Sequence, residues 1–240
     1  MSQFFANSLW NGFMMSDLIG KGIVIFQLAG SVVMVAIGIG KWRGLSRIIQ
    51  AMRRVTRDVM GGRDVLEYYL ARHPNGHTPL ENIYQATCER LLRLLAPDVR
   101  SLLIAQQPGV EAALTAHEMG LVKALSEHVL DEEEIRVEYG MGAIATVVAL
   151  APMLGLLGTV WGVLEAFARM GTAGDVTIQT MAPAISSALV TTVVGLIVAI
   201  PGVLLHTHLN AMVRGMMSDM EGFTDDLTGR IALEFQGRAA

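Results

Sequence analysis

Three uncharged apolar runs, each about as long as a bilayer is thick, limit what this chain can fold into. The first is Gly22 to Gly40, between Lys21 and Lys41, with Gln27 its one strongly polar side chain. The second is Met141 to Leu164, between Glu138 and Glu165. The third is Pro183 to Leu205, closed by His206 and apolar apart from Ser186, Ser187, Thr191 and Thr192. A helix needs roughly 20 residues to cross the hydrocarbon core. Only helices and closed barrels satisfy their backbone polar groups in lipid. Fifteen Met and an aromatic content of 6% suit helices better than a barrel. Charged residues make up 17% of the chain, against about 25% in soluble domains. The expected fold class is therefore all-α and integral to a membrane, with three transmembrane helices.

Basic residues set the expected orientation. Residues 1–20 carry none, whereas Lys41, Arg43, Arg47, Arg53, Arg54, Arg57 and Arg63 follow the first run. The link between the second and third runs holds only Arg169, and Arg214 and Arg230 follow the third. The expected order is a periplasmic segment over 1–16, a span over 17–40 and a cytoplasmic helical domain over 41–140. A span over 141–164, a periplasmic link over 165–182, a span over 183–205 and a cytoplasmic C-terminal helix over 206–240 follow. No basic stretch precedes Asp17, so the first run reads as a permanent anchor and not a cleaved signal. Phe4, Phe5, Trp10 and Phe13 read either as an aromatic anchor at the outer headgroups or as a disordered arm.

The polar parts read as helices that extend the spans. Residues 41–60 continue the first, and Gly61-Gly62 is a candidate break. His73-Pro74-Asn75-Gly76-His77 is a turn. Thr78-Pro79-Leu80-Glu81 is a capping-box pattern with Pro at the first helical position. That helix carries Leu80, Ile83, Tyr84, Thr87, Leu91 and Leu95 and stops near Pro97; Gln107-Pro108-Gly109 is the next break. From Val110 the pattern reads as one long helix that runs on into the second span. After the third span, Leu209, Met212, Met216, Met220, Phe223 and Leu227 form an apolar stripe at three- and four-residue spacing. Asp131-Glu132-Glu133-Glu134 reads as a solvated helix face, with a partner contact as the sharper reading. Arg53, Arg54 and Arg57 fit anionic headgroups or a plain solvated face equally well. Cys88, the single cysteine, reads as a buried, inert thiol. The net charge of −4 gives no basis for nucleic-acid binding.

Within the second run, Gly155 and Thr159 are four apart, as are Gly158 and Gly162. Such small-residue pairs let helix backbones approach closely in lipid. Pro152 frees a carbonyl in the same helix. In the third run, Ser187, Thr191, Gly195 and Ala199 form one small stripe, and Ala184, Ala188 and Thr192 form another. Self-association is the economical explanation for so many close-packing faces on three spans. The threonines either bond the preceding turn's carbonyls or line a polar pathway. No Asp, Glu, Lys, Arg or His lies within any run, so a titratable group for ion transport has to come from a partner. Glu165 reads as a solvated end residue or as a mouth contact. No zinc-protease, nucleophile-elbow or phosphate-loop motif is present, and His206 with His208 makes a weak metal site. An enzyme is not expected, and neither is a cofactor.

Two strings carry more than periodicity. Ala143 to Phe167 reads AIATVVALAPMLGLLGTVWGVLEAF, and Ile185 to Asn210 reads ISSALVTTVVGLIVAIPGVLLHTHLN. With TPLENIYQATCERL from Thr78 to Leu91, they resemble the TolQ/ExbB family, which is related to the MotA flagellar stators. The resemblance implies an inner-membrane homopentamer whose second and third spans line a central pore. It also implies a single-span partner of the ExbD/TolR/MotB type that brings a membrane Asp into the pore. Thr159 and Thr192 match the family's pore threonines, and Pro152 and Pro201 its helix-shaping prolines. Many members carry a Glu where Ser187 stands, and His206 and His208 replace aromatic or Asn residues. The carried ion is then proton or sodium, and the pathway residues are Thr159, Thr192 and Ser187. The expected function is a stator subunit of an ion-driven motor, with a non-conducting scaffold as the alternative. The process served, whether import, envelope constriction, gliding or other motility, stays open.

Overall fold

The computed structural model describes residues 10–62, 64–72, 78–104, 113–172 and 178–235. The expected turns over 73–77 and 107–109, as well as Phe4, Phe5 and Arg63, lie outside these residues. After a helical segment over 10–15, helix α1 (Leu18–Gly61) starts where the Asp17 carboxylate accepts the Gly20 N–H at 2.8 Å. This is the capping geometry that short acidic side chains favour. Then follow α2 (Glu67–Arg72), α3 (Pro79–Leu94), α4 (Pro97–Ile104), α5 (Ala116–Glu138), α6 (Met141–Thr172) and α7 (Ile178–Phe235). Among the described residues, three helical stretches are long and apolar enough to cross a membrane, with their apolar windows in α1, in the stretch that contains α6, and in α7. At about 1.5 Å per residue, α1 and α7 measure roughly 66 and 87 Å, well beyond the ~30 Å hydrocarbon core.

The chain forms two compact units: Met1–Trp42 with Gly140–Asn210, and Arg43–Tyr139 with Ala211–Ala240. The helix read as continuous from Val110 is not continuous. It begins at Ala116 behind a Thr115–Glu118 capping box and stops at Glu138, and Gly140 then takes φ +86°. That left-handed value is open to glycine and costly for other residues. By contrast, α6 continues through Pro152, and α7 through Pro183 and Pro201.

In the second unit the Thr78 capping box forms as expected, with Thr78 Oγ1 accepting from Glu81 N–H and Glu81 accepting from Thr78 N–H. Buried Leu80, Ile83, Tyr84 and Leu91 of α3 share the core with Met52, Val55 and Val59 of α1, Val122 of α5 and the tail of α7. On that tail Met216, Met220, Phe223 and Leu227 are buried as expected, as is Leu209 in the first unit, but Val213 is buried while Met212 is only partly so. The buried positions 209, 213, 216, 220, 223 and 227 alternate four- and three-residue steps, so the face passes through Val213 and not Met212.

The end of α7 also holds the end of α1. Arg230 Nη1 and Nη2 donate to the carbonyls of Val59 and Gly62 at 2.9 and 2.8 Å. These carbonyls belong to the unsatisfied groups that every helix C-terminus leaves, and a cation suits them. Tyr84 donates to Val65 O at 2.6 Å and accepts from Tyr69 N–H at 3.0 Å. Burial holds its phenol well above the usual range.

The acidic run is not wholly a solvated face. Glu133 is buried, accepts from Asn82 Nδ2 at 2.9 Å and pairs with Arg136. Position 133 falls on the apolar side of α5, where an amide and a guanidinium supply the partners a buried carboxylate requires.

Two outcomes are expected here. Tyr84→Phe leaves the Val65 carbonyl and the Tyr69 N–H without their partner, so thermal unfolding should show a loss of about 1–3 kcal/mol. Burial pushes the Cys88 thiol up to about 12, so too little thiolate exists at neutral pH for reaction. A maleimide should label Cys88 only after unfolding, and labelling of the native protein would contradict its placement.

Candidate functional site

The first unit is organised by a close approach of α6 to α7. Three α6 glycines, Gly155, Gly158 and Gly162, face Thr192, Thr191 and Ala188 of α7 respectively. A Cβ on Gly155 would lie 2.9 Å from Thr192 Cα and 3.0 Å from Thr191 O, and one on Gly162 would lie 2.6 Å from Ala188 Cβ. At Gly158 an added Cβ would run into Thr191 Oγ1 and sit 2.6 Å from its Cβ. The two backbones thus approach closely along two helical turns, with no α6 side chain at the three glycines and only small α7 side chains facing them. In lipid, where apolar burial does not drive helices together, such packing and the hydrogen bonds it permits are what hold them.

Those hydrogen bonds converge on one carbonyl. Thr192 Oγ1 donates to Gly155 O at 2.8 Å. Thr191 Oγ1 shares its hydrogen between Ala188 O at 2.7 Å and Gly155 O at 3.1 Å. One turn earlier on α6, Ala151 O accepts from Gln27 Nε2 of α1 at 2.9 Å. Gly195 of α7 leaves the space for that amide, since a Cβ there would come within 2.6 Å of Ala151 O and 2.9 Å of Gln27 Nε2. The segment from Ala151 to Gly155 is therefore tied to both other apolar helices.

The expected site residues fall into three groups. Thr192 and Gly155 are brought together, and Gly158, Gly162 and Gly195 shape the same contact. Thr159 lies one turn beyond Gly155, is partly exposed and donates to Leu156 O at 2.7 Å. Ser187 is buried and donates back to Ala184 O at 2.9 Å, while Pro201 is exposed and Pro152 partly so. The stripe Ser187, Thr191, Gly195, Ala199 is a buried face as its spacing suggested. These small faces are used inside the chain, however, between α6 and α7, so they supply no argument for self-association. A better pointer to further subunits or lipid is the apolar surface left outside. Leu156, Val160, Leu189 and Ile200 are each more than half exposed.

The different settings of the two adjacent threonines, and the contact made by Trp161, were not read from sequence. Thr191 is 1% exposed and packs, whereas its neighbour Thr192 is partly exposed. Two adjacent threonines on a helix point about 100° apart, and sequence alone does not say which faces in. Trp161 Nε1 donates to Asp17 Oδ2 at 2.8 Å and ties the start of α1 to α6. Among the described residues no group of His, Cys, Asp and Glu is placed to hold a metal.

A single added methyl tests the contact. Gly158→Ala forces the Thr191 side chain or the helix backbones to move, and overpacking of this kind costs about 1–3 kcal/mol. The detergent-solubilised variant should melt at a lower temperature than wild type, while Gly120→Ala, where the added Cβ meets nothing within 4 Å, should not.

Comparison with known proteins places this geometry. Residues 98–222, which include α6 and most of α7, match the model of the MotA/TolQ/ExbB proton channel family. Over 231 residues the chain is 26% identical to the Tol-Pal system protein TolQ of Haemophilus influenzae, covering 95% of each protein. It is 42% identical over 96 residues to the biopolymer transport protein ExbB of Neisseria gonorrhoeae, covering 40% of this chain and 44% of that protein. A solved structure of C. jejuni MotAB overlaps with a TM-score of 0.46 at 16% identity, over 94% of this chain and 81% of that one. The matched segment spans more than half of the sequence and contains the glycine and threonine contact. The chain is a membrane protein that belongs to the MotA/TolQ/ExbB proton channel family.

Proposed function

We propose that this chain is the pore-forming stator subunit of a proton-driven motor in the bacterial inner membrane. It works as a homopentamer around a single-span partner of the ExbD/TolR/MotB type, with its N-terminus outside and its C-terminal helix in the cytoplasm. The three apolar runs contain no ionisable side chain, so the carboxylate that carries the proton is the partner's membrane Asp. The names of the full-length and partial relatives, Tol-Pal system and biopolymer transport, favour work on the cell envelope.

The observation that carries this reading is the state of Thr192. Its only hydroxyl hydrogen is committed to Gly155 O, while the oxygen of this partly exposed residue keeps lone pairs that accept. Thr159, committed to Leu156 O, is alike. An acceptor of this kind bonds a protonated carboxyl or a water, and does not bond an ionised carboxylate. The partner Asp is thus held by the threonines while neutral and released when it gives up its proton. Such a difference in affinity between two charge states is what moves an element between two positions. The energy that drives it is the proton gradient, and the mechanical output leaves through the partner.

Proton flux into proteoliposomes holding the chain and its partner tests this directly. Flux should need the partner and should fall about tenfold in Thr159→Val and in Thr192→Val, the change expected when about 1.4 kcal/mol of interaction is lost. Wild-type-like flux in both variants would reduce the threonines to packing residues. An intact complex that carries neither protons nor sodium would leave a scaffold.

A further inference from the structure

Gln27 has no role in the scheme above, yet it is 2% exposed within the uncharged run Gly22 to Gly40. Its bond to Ala151 O fixes the direction of the amide, because the reverse orientation would set two acceptor oxygens against each other. Gln27 Oε1 is then buried without a hydrogen-bond partner, and it is the one such side-chain acceptor among the described residues. Buried amide oxygens in native proteins take a donor. No Lys, Arg or His lies in the apolar runs. The hydroxyls around the same stretch of α6, those of Thr159, Thr191 and Thr192, all donate to backbone carbonyls. The glycines beside the amide pack against its Nε2 end. A Cβ on Gly195 would come 2.9 Å from Gln27 Nε2, and one on Gly155 3.5 Å.

We propose that Gln27 Oε1 holds a water molecule of the ion pathway where α1, α6 and α7 meet, which makes Gln27 a positioning residue for conduction. The inference rests on the proton-channel reading and extends it to the first span. Gln27 acts at two points. Its Nε2 fixes the α6 backbone at Ala151, one turn from the Gly155 carbonyl that receives Thr191 and Thr192. Its Oε1 accepts from the water, whose own oxygen and second hydrogen stay available to the proton path. The threonines then present acceptors, and the Gln27 water supplies the donor that they lack.

Two measurements on the complex with its partner test this. A density map in lipid nanodiscs that resolves ordered water should show a peak within about 3.2 Å of Gln27 Oε1. An Oε1 that meets a protein donor, or no peak at all, overturns the assignment. Flux should fall about tenfold in Gln27→Leu with the complex intact, and wild-type-like flux there also overturns it. Gln27→Glu adds a readout that a merely structural side chain would not move. A glutamic acid in this apolar interior stays protonated to high pH, donates to Ala151 O and keeps a carbonyl acceptor for the water. Its flux should match wild type at low pH and drop as pH rises, while wild type shows no such drop; a pH-independent ratio counts against the proposal. If wild type itself carries no ions, the proton-channel reading is what fails, and the map still decides whether Gln27 holds a water.

Discussion

The first unit rests on backbone meeting backbone between α6 and α7. Gly155, Gly158 and Gly162 remove the side chains from the middle of one face of α6, and Ala188, Thr191 and Thr192 fill the space. In a bilayer this matters more than it does in water. Lipid chains are as apolar as Leu, so helices gain little by hiding Leu from them, and contact area and hydrogen bonds decide. Close approach brings the Gly155 carbonyl within reach of two hydroxyls of the neighbouring helix. Without it both hydroxyls would be confined to their own helix, as Thr159 is.

The same contact sets the chemistry. A proton pathway through a membrane ordinarily shows itself as a buried charge, and here the apolar runs have none. In the proposed mechanism the partner supplies the charge and the hydroxyl groups of this chain receive it, so what they offer depends on where their hydrogens go. Thr191 is enclosed and packs, while Thr192, partly exposed, spends its hydrogen across the interface and keeps an acceptor. Two neighbouring residues of one type thus do different work because a helix turns about 100° per residue. Gln27 completes the set from α1, since it ties down the turn before Gly155.

The spans, the capping box at Thr78 and the buried stripe through Ser187, Thr191, Gly195 and Ala199 were legible in the sequence because each is a short-range pattern. A run without charge, a Thr three residues before a Glu, and four-residue spacing all mean the same thing in any fold. What the sequence withheld depends on contacts between distant segments. The break at Gly140 looks like any glycine within a helical pattern until its φ is known. Glu133 sits in an acidic run, and only the position of Asn82 explains its burial. The glycine faces read as evidence for contact between copies, whereas the contact they make is between α6 and α7 of one chain. Period and spacing identify a packing face but do not name what packs on it.

The central claim is that the oxygen of Thr192, and not the volume of its side chain, serves the ion path. Proton flux through the Thr192→Ser complex tests it most directly, since serine keeps the oxygen on the Gly155 carbonyl and loses only the methyl group. The account expects flux close to wild type with a small loss of thermal stability. Flux reduced as far as it is by an apolar side chain at that position would contradict it, and would assign Thr192 to packing alone.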